Sequence, residues 1–410
     1  LNFPAYIAQK LAANHKQTFS RFIIRLSVGA TAVGVAAMII TICFVNGFQQ
    51  TVAQKVFNFW GHIRVQHFEP DKSLMAEELP ISKNQQIEDL LDKQPGVLRH
   101  QAFATKSAVL SYQQNIEGIL LKGVESTYDS SLIKPFITEG KWLGFSDSIY
   151  SREIIISEQI ARLLNIRLND TVTLYFVGNE TAQTTYRKLK VIGLYKTGIE
   201  EYDKLFMLTD LRLIARLNLW EPDQIGGYEI FIKEGVQPDS VNQVLQNELP
   251  TEWMSRTVAS IYPNIFDWLQ IQNMNRDVIF IIMAIVAIIN LVTCLLILIL
   301  ERTPMIGILK ALGARDRQII EIFLYHAGNI AFKGVIWGFI VGMGTVLLQQ
   351  RTGFIKLDES AYYVKEAPVL IIWWQIILVC FATWILSFTI LLLPALLVKK
   401  IKPIQAIQFR

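Results

Sequence analysis

Four long apolar runs constrain this chain more than any other feature of it. A helix rises about 1.5 Å per residue, so roughly 20 residues cross a hydrocarbon core about 30 Å thick. Residues 26–45 form one such run, between Arg25 and Asn46. Residues 278–300 form a second between Asp277 and Glu301, and 327–348 a third that contains Asn329 and Lys333. The fourth, 369–398, is long enough to span with Trp373 and Trp374 at an interface. Of the 410 residues only 18% are charged, against about a quarter in soluble chains, and the deficit lies in these runs. Lys333 is expected to snorkel from the cytoplasmic end of its helix; the sharper alternative is a residue lining a transport path.

Short flanking segments set orientation, because long domains cross regardless of charge. Lys10, Lys16, Arg21 and Arg25 precede the first run; Arg302, Lys310, Arg315 and Arg317 follow the second; Lys399, Lys400, Lys402 and Arg410 follow the fourth. The segment 349–368 instead balances Arg351, Lys356 and Lys365 against Asp358, Glu359 and Glu366. The expected order is a cytoplasmic segment 1–25, helix 26–47, an outer domain 48–276, helix 277–300, a cytoplasmic segment 301–326, helix 327–348, an outer loop 349–368, helix 369–398 and a cytoplasmic tail 399–410. Residues 1–20 hold no short apolar stretch ending in a small-residue cleavage site, so the first run is expected to remain as an anchor. Gly334, Gly338 and Gly342, four apart, give the third helix one smooth face for close packing, with a weaker version at Ala30, Gly34 and Met38.

Within 49–276 the pattern is that of a soluble α+β domain. Phe48, Val52, Val56 and Phe59 have helical spacing, which predicts that the first helix continues outward as a stalk. Strands are predicted at HIRVQHF, SAVLSY, GILLKGV, EIIIS, TVTLYF, KLKVIGLY, KLFMLT and YEIFIKE, with helices at 84–94, 157–165, 209–218 and 238–248. The domain has room for two lobes. The fold class is therefore an integral membrane α-helical protein with four transmembrane helices and a large α+β extracytoplasmic domain inserted between helices 1 and 2.

Chemistry is sparse. The three cysteines, Cys43, Cys294 and Cys380, fall in apolar runs, and His15, His62, His67, His100 and His326 lack ligand spacing, so they read as isolated surface or interfacial residues. No metal site is expected. Glu200, Glu201 and Asp203 read as a solvated loop, with a carboxylate site as the alternative. There is no G-x-S-x-G, no H-E-x-x-H and no G-x-x-x-x-G-K-[ST] phosphate loop. The small net charge of +4 makes no case for nucleic acid. No catalytic residues are expected.

The most informative stretch is ERTPMIGILKALGA, 301–314. Thr303 suits an N-cap and Pro304 the first helical position. Met305, Ile308, Leu309 and Leu312 fall at i, i+3, i+4 and i+7, and Gly313 is placed to end the helix. A short amphipathic helix with an exposed apolar ridge is expected. Periodicity alone also allows a helix resting on lipid headgroups.

This stretch resembles the coupling-helix signature of FtsX-like ABC permeases, E-[KR]-T-x-E-I-G-I-L-[KR]-A-L-G-A. The ending LLLPALLVKKIKPIQAIQ is similar to that family's terminal pattern at Pro394, Ala395, Pro403 and Ala406. LKGVEST, ITEGKWL and SEQIARLLNIRLNDTVTL resemble segments of the MacB-type periplasmic core. NGFQ, KVIGLYKTGIEEYD and AYYVKEAPV are most like the lipoprotein-releasing (LolC/LolE-type) branch. Two positions depart from the pattern. Met305 stands where a glutamate is usual, and the candidate chaperone-recruiting loop, Val177–Lys188, is short and lacks proline.

The resemblance implies a permease subunit in a bacterial inner membrane, without a nucleotide site or cofactor of its own. ATP and Mg would be bound by a partner ATPase dimer. It implies coupling through Glu301, Arg302, Thr303, Met305, Ile308, Leu309, Lys310, Leu312 and Gly313. A second permease subunit, identical or not, would complete a cavity whose lining candidates are Met38, Ile42, Asn46, Met283 and Asn290. The substrate would be a lipoprotein passed to a periplasmic carrier or chaperone. Two alternatives share the architecture. One is a MacB-like pump for periplasmic peptides or drugs, disfavoured because only about 25 residues precede the first run where that group often carries a fused ATPase. The other is FtsX-like signalling to cell-wall hydrolases.

Overall fold

A computed structural model of the chain describes residues 18–69, 77–145, 150–177 and 184–395. The chain forms two units. One takes the chain up to Gln50, Leu269–Lys356 and everything from Glu366; the other takes Thr51–Trp268 and Leu357–Lys365. Lys10, Lys16, the tail lysines, Pro403, Ala406 and residues 178–183 of the loop 177–188 lie outside the described residues.

The first unit is a helical bundle. Among the described residues four helices are long and apolar enough to cross a membrane, and they belong to Thr18–Trp60, Pro263–Glu301, Asp316–Thr352 and Trp373–Ala395. The first contains both the predicted span and the predicted stalk. The second starts fifteen residues before its apolar run and the third eleven before. Polar residues extend the helices there, which a hydropathy criterion does not count. The fourth corrects the expectation at its start, because 369–372 is not helical. Leu370 N–H donates to the Cys43 carbonyl (2.9 Å), and Pro368–Leu370 lies close over Gly47, where an added Cβ would sit 2.7 Å from all three residues.

Packing sets the direction of each helix. Gly334 faces Thr31, Gly338 faces Val35 and Gly342 faces Ala36 and Ile39, so numbers rise together and the first and third helices run parallel. Asn290 Nδ2 donates to the Ser27 carbonyl (3.2 Å), and Gly34 faces the Met283 carbonyl, so the second helix runs antiparallel to the first. The fourth pairs Asn46 with Gln375 (2.5 Å) and packs Phe388 on Gly328, so it also runs antiparallel. The start of the first helix, the 301–316 turn and the end of the fourth therefore share one end of the bundle. Arg25, Arg302, Lys310, Arg315 and Arg317 are all at that end.

The second unit is built on a ten-stranded sheet. Its strands are β1 (Ile63–His67), β3 (Val97–Tyr112), β4 (Asn115–Val124), β5 (Ile137–Gly140), β6 (Glu153–Ser157), β7 (Thr171–Val177), β8 (Thr184–Tyr195), β9 (Phe206–Asp210), β11 (Gly227–Ile232) and β12 (Trp253–Thr257), while β2 (Ile81–Ser82) and β10 (Gln224–Ile225) form a separate pair. The order is β12-β1-β11-β3-β4-β9-β6-β8-β5, with β7 joined to both β3 and β8. The strands β3, β4, β9, β6, β8 and β7 thus close into a ring. Leu110, Leu121, Ile154, Ile156, Val172, Leu174, Val191 and Met207 are buried in one continuous core, and one hydrogen-bonded sheet replaces the two lobes allowed for. All eight predicted strands are present. The missed ones, β2, β5, β10 and β12, are short or lack an apolar alternation.

The outer end of the first helix is buried in this unit. Val52, Val56 and Phe59 are fully buried and Trp60 nearly so. Phe59 stacks on Tyr202 (5.1 Å between rings), and Trp60 meets Phe206 edge-on (4.9 Å). Lys122 donates to the Phe59 carbonyl and forms an ion pair with Glu229 (2.6 Å), and Glu229 also accepts from Tyr128 (3.1 Å). A cation on the last carbonyls of a helix offsets the negative end of its dipole. Burial pushes the Lys122 ammonium down to about 8 and the Glu229 carboxyl up. His62 is likewise not an isolated surface residue. Its ring packs on Phe57 (4.3 Å), Nδ1 accepts from Ile232 N–H, and burial lowers it to about 4.

The glycine face offers a direct check on the packing. A Cβ at Gly338 would lie 2.6 Å from Val35 Cβ and 2.7 Å from the Ala32 carbonyl, whereas one at Gly344 meets nothing within 4 Å. Gly338→Leu should lower the melting temperature of the purified protein in detergent by the equivalent of about 1–3 kcal/mol of overpacking. Gly344→Leu should leave it unchanged. Equal melting of the two would refute the close contact.

Candidate functional site

The segment after the second long helix forms a short helix, Thr303–Ala311, followed by a turn into the third long helix. Its start differs from expectation. Arg302 is the N-cap, with no side-chain cap bond, and Thr303 Oγ1 donates back to the Ile299 carbonyl (3.1 Å). The threonine is therefore the first residue of the short helix, and its hydroxyl bonds back to the preceding helix instead of capping. Its end is as expected. Gly313 has φ +90°, its N–H donates to the Lys310 carbonyl, and Ala314 N–H reaches back to Leu309, both at 3.0 Å. This paired closure uses a left-handed residue that glycine adopts at little cost. Arg315 N–H then donates to Gln318 Oε1 (3.0 Å), and Lys310 pairs with Asp316 (2.9 Å) across the turn.

The predicted ridge splits in two. Ile306 is fully buried, and Met305 and Leu309 pack beside it against a cluster containing Leu298, Ile319 and Phe323. Ile308 (54% exposed) and Leu312 (79%) point outward on a line with exposed Pro304. Apolar residues at 305, 306, 308, 309 and 312 make two overlapping stripes, and periodicity could not say which one folds inward. The outward stripe, at steps of four, is flanked by exposed Arg315 and Arg317. Glu301 and Arg302 are half-buried, and Glu301 Oε2 is a buried oxygen with no hydrogen-bond partner among the described residues.

The cavity candidates are placed differently from one another. Met38 (4% exposed) and Ile42 (7%) are packed inside the bundle against Val335, Met343, Val346, Ile376 and Val379, with Met283 at the edge of that cluster. In this structure Met38 and Ile42 are core residues. Asn46 and Asn290 are half-buried and spend their amides on helix-to-helix hydrogen bonds. The open surface of the second helix is instead Val278, Ile281, Ile282, Ile285, Val286 and Ile289, each between 49% and 60% exposed. All six are β-branched and lie on one face.

The acidic stretch is neither a solvated loop nor a carboxylate site. It forms the helix Glu200–Leu205. Asp203 is buried and accepts from Thr197 N–H (2.9 Å), Thr197 Oγ1 (2.8 Å) and Gly198 N–H (3.0 Å), while burial raises its carboxyl. Glu201 accepts from Tyr363 (3.0 Å), Glu359 pairs with Lys196, and Lys55 Nζ donates to the Thr197 and Tyr363 carbonyls, both at 2.7 Å. Glu201, Glu359 and Lys55 hold segment 357–365 within the second unit. Among the described residues no group of three or more His, Cys, Asp or Glu is placed to hold a metal. Lys333 is exposed on the third long helix.

Known families meet this chain at both units. Residues 26–248 match the MacB-like periplasmic core domain, and residues 278–403 match the FtsX-like permease C-terminal domain. The chain belongs to the family of FtsX-like permeases with a MacB-type core. It is 24% identical over 427 residues to the lipoprotein-releasing system transmembrane protein LolE of Haemophilus influenzae, covering 99% of each. It is 22% identical to the LolC protein of Neisseria meningitidis serogroup B, covering 97% of each. The periplasmic region of MacB from Actinobacillus actinomycetemcomitans covers 50% of this chain and 91% of that one at 14% identity, with a TM-score of 0.34. As an FtsX-like permease of this kind the chain is an inner-membrane protein with a periplasmic-type domain.

The split ridge makes a testable distinction within the permease. Leu309→Asp places a charge against Ile319 and Phe323 and should destabilise the bundle by about 2 kcal/mol or more. Leu312→Asp should melt within about 0.5 kcal/mol of wild type. If thermal unfolding of both variants in detergent is equally lowered, the outward placement of Leu312 is wrong.

Proposed function

We infer that this permease is the transmembrane subunit of an ATP-driven transporter that extracts lipoproteins from the inner membrane and passes them to a periplasmic carrier. The observation that carries the reading is similarity to lipoprotein-releasing transmembrane proteins along nearly the whole chain, across both units. Removing an acyl chain from lipid costs about 0.8 kcal/mol for each CH₂ exposed. Work on that scale needs an apolar surface to receive the chains and an energy source to clear it.

The chain supplies surfaces suited to both. The outward stripe of Ile308 and Leu312, with Arg315 and Arg317 beside it, is a ridge for a separate ATPase subunit, where ATP and Mg would be bound. The end of the bundle that carries it also holds Arg25 and Arg302, which supports a cytoplasmic placement by the positive-inside rule, with the MacB-type domain on the periplasmic side. The β-branched face of the second long helix would receive acyl chains, opposite a second permease subunit. That face takes the lining role first given to Met38 and Ile42. A MacB-like pump for soluble peptides would use the same ridge but has no need of an acyl-receiving face.

Photo-crosslinking tests this reading. A photoreactive residue at Ile285 should capture an acylated lipoprotein in cells, and the same residue at Ile377, exposed on the fourth helix, should capture none. Capture of a non-acylated lipoprotein variant equally well at Ile285 would remove the acyl-chain argument.

A further inference from the structure

Lys333 sits within the apolar part of the third long helix, exposed, with no hydrogen bond or ion pair to any described residue. Its depth can be read from the packing. Gly334 faces Thr31 and Gly338 faces Val35, so Arg25, the last cation before the first apolar run, is level with Gly328. Lys333 is five residues further in, roughly 7–8 Å along the axis. An ammonium at that depth needs compensation, either by snorkelling to water or by an anion brought to it.

Its neighbours on the same face favour the anion. Four residues back is exposed Asn329, at the level of Leu26, and four further back is Tyr325, 52% exposed. Four residues forward is Trp337, 57% exposed, followed by Ile340 and Val341 at 50% and 53%. The face therefore reads aromatic, amide, cation, aromatic, aliphatic from the basic end of the bundle inward. That order matches a phospholipid from headgroup to acyl chain. A lysine that only snorkelled would need neither the amide beside it nor the indole beneath it.

We propose that this face binds an anionic phospholipid of the leaflet at the basic end of the bundle. Lys333 Nζ reaches back past Asn329 to the phosphate, the Asn329 amide donates a second hydrogen bond, and one acyl chain lies along Trp337 and Ile340. Charge complementarity selects anionic over zwitterionic headgroups. The inference rests on the third helix crossing a membrane and is independent of the cargo.

The test uses the full chain in nanodiscs of phosphatidylcholine alone or with phosphatidylglycerol, read by native mass spectrometry and by thermal melting. Wild type is expected to retain phosphatidylglycerol through detergent washing and to melt higher when it is present. Lys333→Met should lose that retention by about tenfold or more, while melting as wild type in phosphatidylcholine alone. Lys333→Arg should keep it, and Asn329→Leu should weaken it. Equal retention by Lys333→Met overturns the proposal, as does equal stabilisation of wild type by the zwitterionic lipid. Carbodiimide crosslinking of Lys333 to a carboxylate of another protein chain overturns it in favour of a protein contact. Failure of the chain to float with vesicles would instead defeat the membrane-spanning reading itself.

Discussion

Lys122 is fully buried in the outer unit, and its ammonium holds both Glu229 and the Phe59 carbonyl at the end of a 43-residue helix. A buried charge of this kind is tolerated only when every partner is present, since leaving either ion alone costs about 3–5 kcal/mol. Glu229 lies on β11 and Lys122 on β4, two strands on either side of β3, so the ion pair also registers the centre of the sheet. At its inner end the same helix is held differently, by contact with a glycine face that admits no side chain. One helix thus takes part in both units, fixed by electrostatics in one and by shape in the other.

Much of this was legible in the sequence. The four apolar runs marked the four long helices, because a soluble chain rarely carries an apolar run of about 20 residues with at most one charge. β-Branched runs such as EIIIS and alternating ones such as TVTLYF marked strands. What could not be read is instructive. The third helix begins at Asp316 because Gln318 closes its first turn and Ile319, Ile322 and Phe323 bury one face, and neither signal registers as membrane hydropathy. Residues 369–372 are as apolar as a span, yet they run unwound beside Gly47. Only the neighbouring helix makes that possible.

The candidate site was legible in kind and less so in detail. The position of Gly313 predicted the helix end, and its left-handed backbone is what ends it. Thr303 had the chemistry of a cap but bonds to Ile299, since its hydroxyl can reach the preceding turn. Met305 and Leu309 were indistinguishable from Ile308 and Leu312 by spacing, because two stripes four residues apart overlap on a short helix. Met38 and Ile42 had the character of a lining but are core. Both judgements depended on neighbours distant in sequence, which periodicity does not contain.

The functional account joins an outward ridge at one end of the bundle to an open β-branched face on the second helix. Its central claim is ATP-driven release of a membrane-anchored lipoprotein. The permease should be reconstituted with its ATPase and any second permease subunit in proteoliposomes bearing an acylated lipoprotein, then supplied with ATP and a soluble periplasmic carrier. The account predicts carrier-bound lipoprotein only with ATP, and none with Leu312→Asp although that variant inserts and folds. Lipoprotein that stays in the liposomes while a soluble peptide stimulates ATP hydrolysis would contradict it.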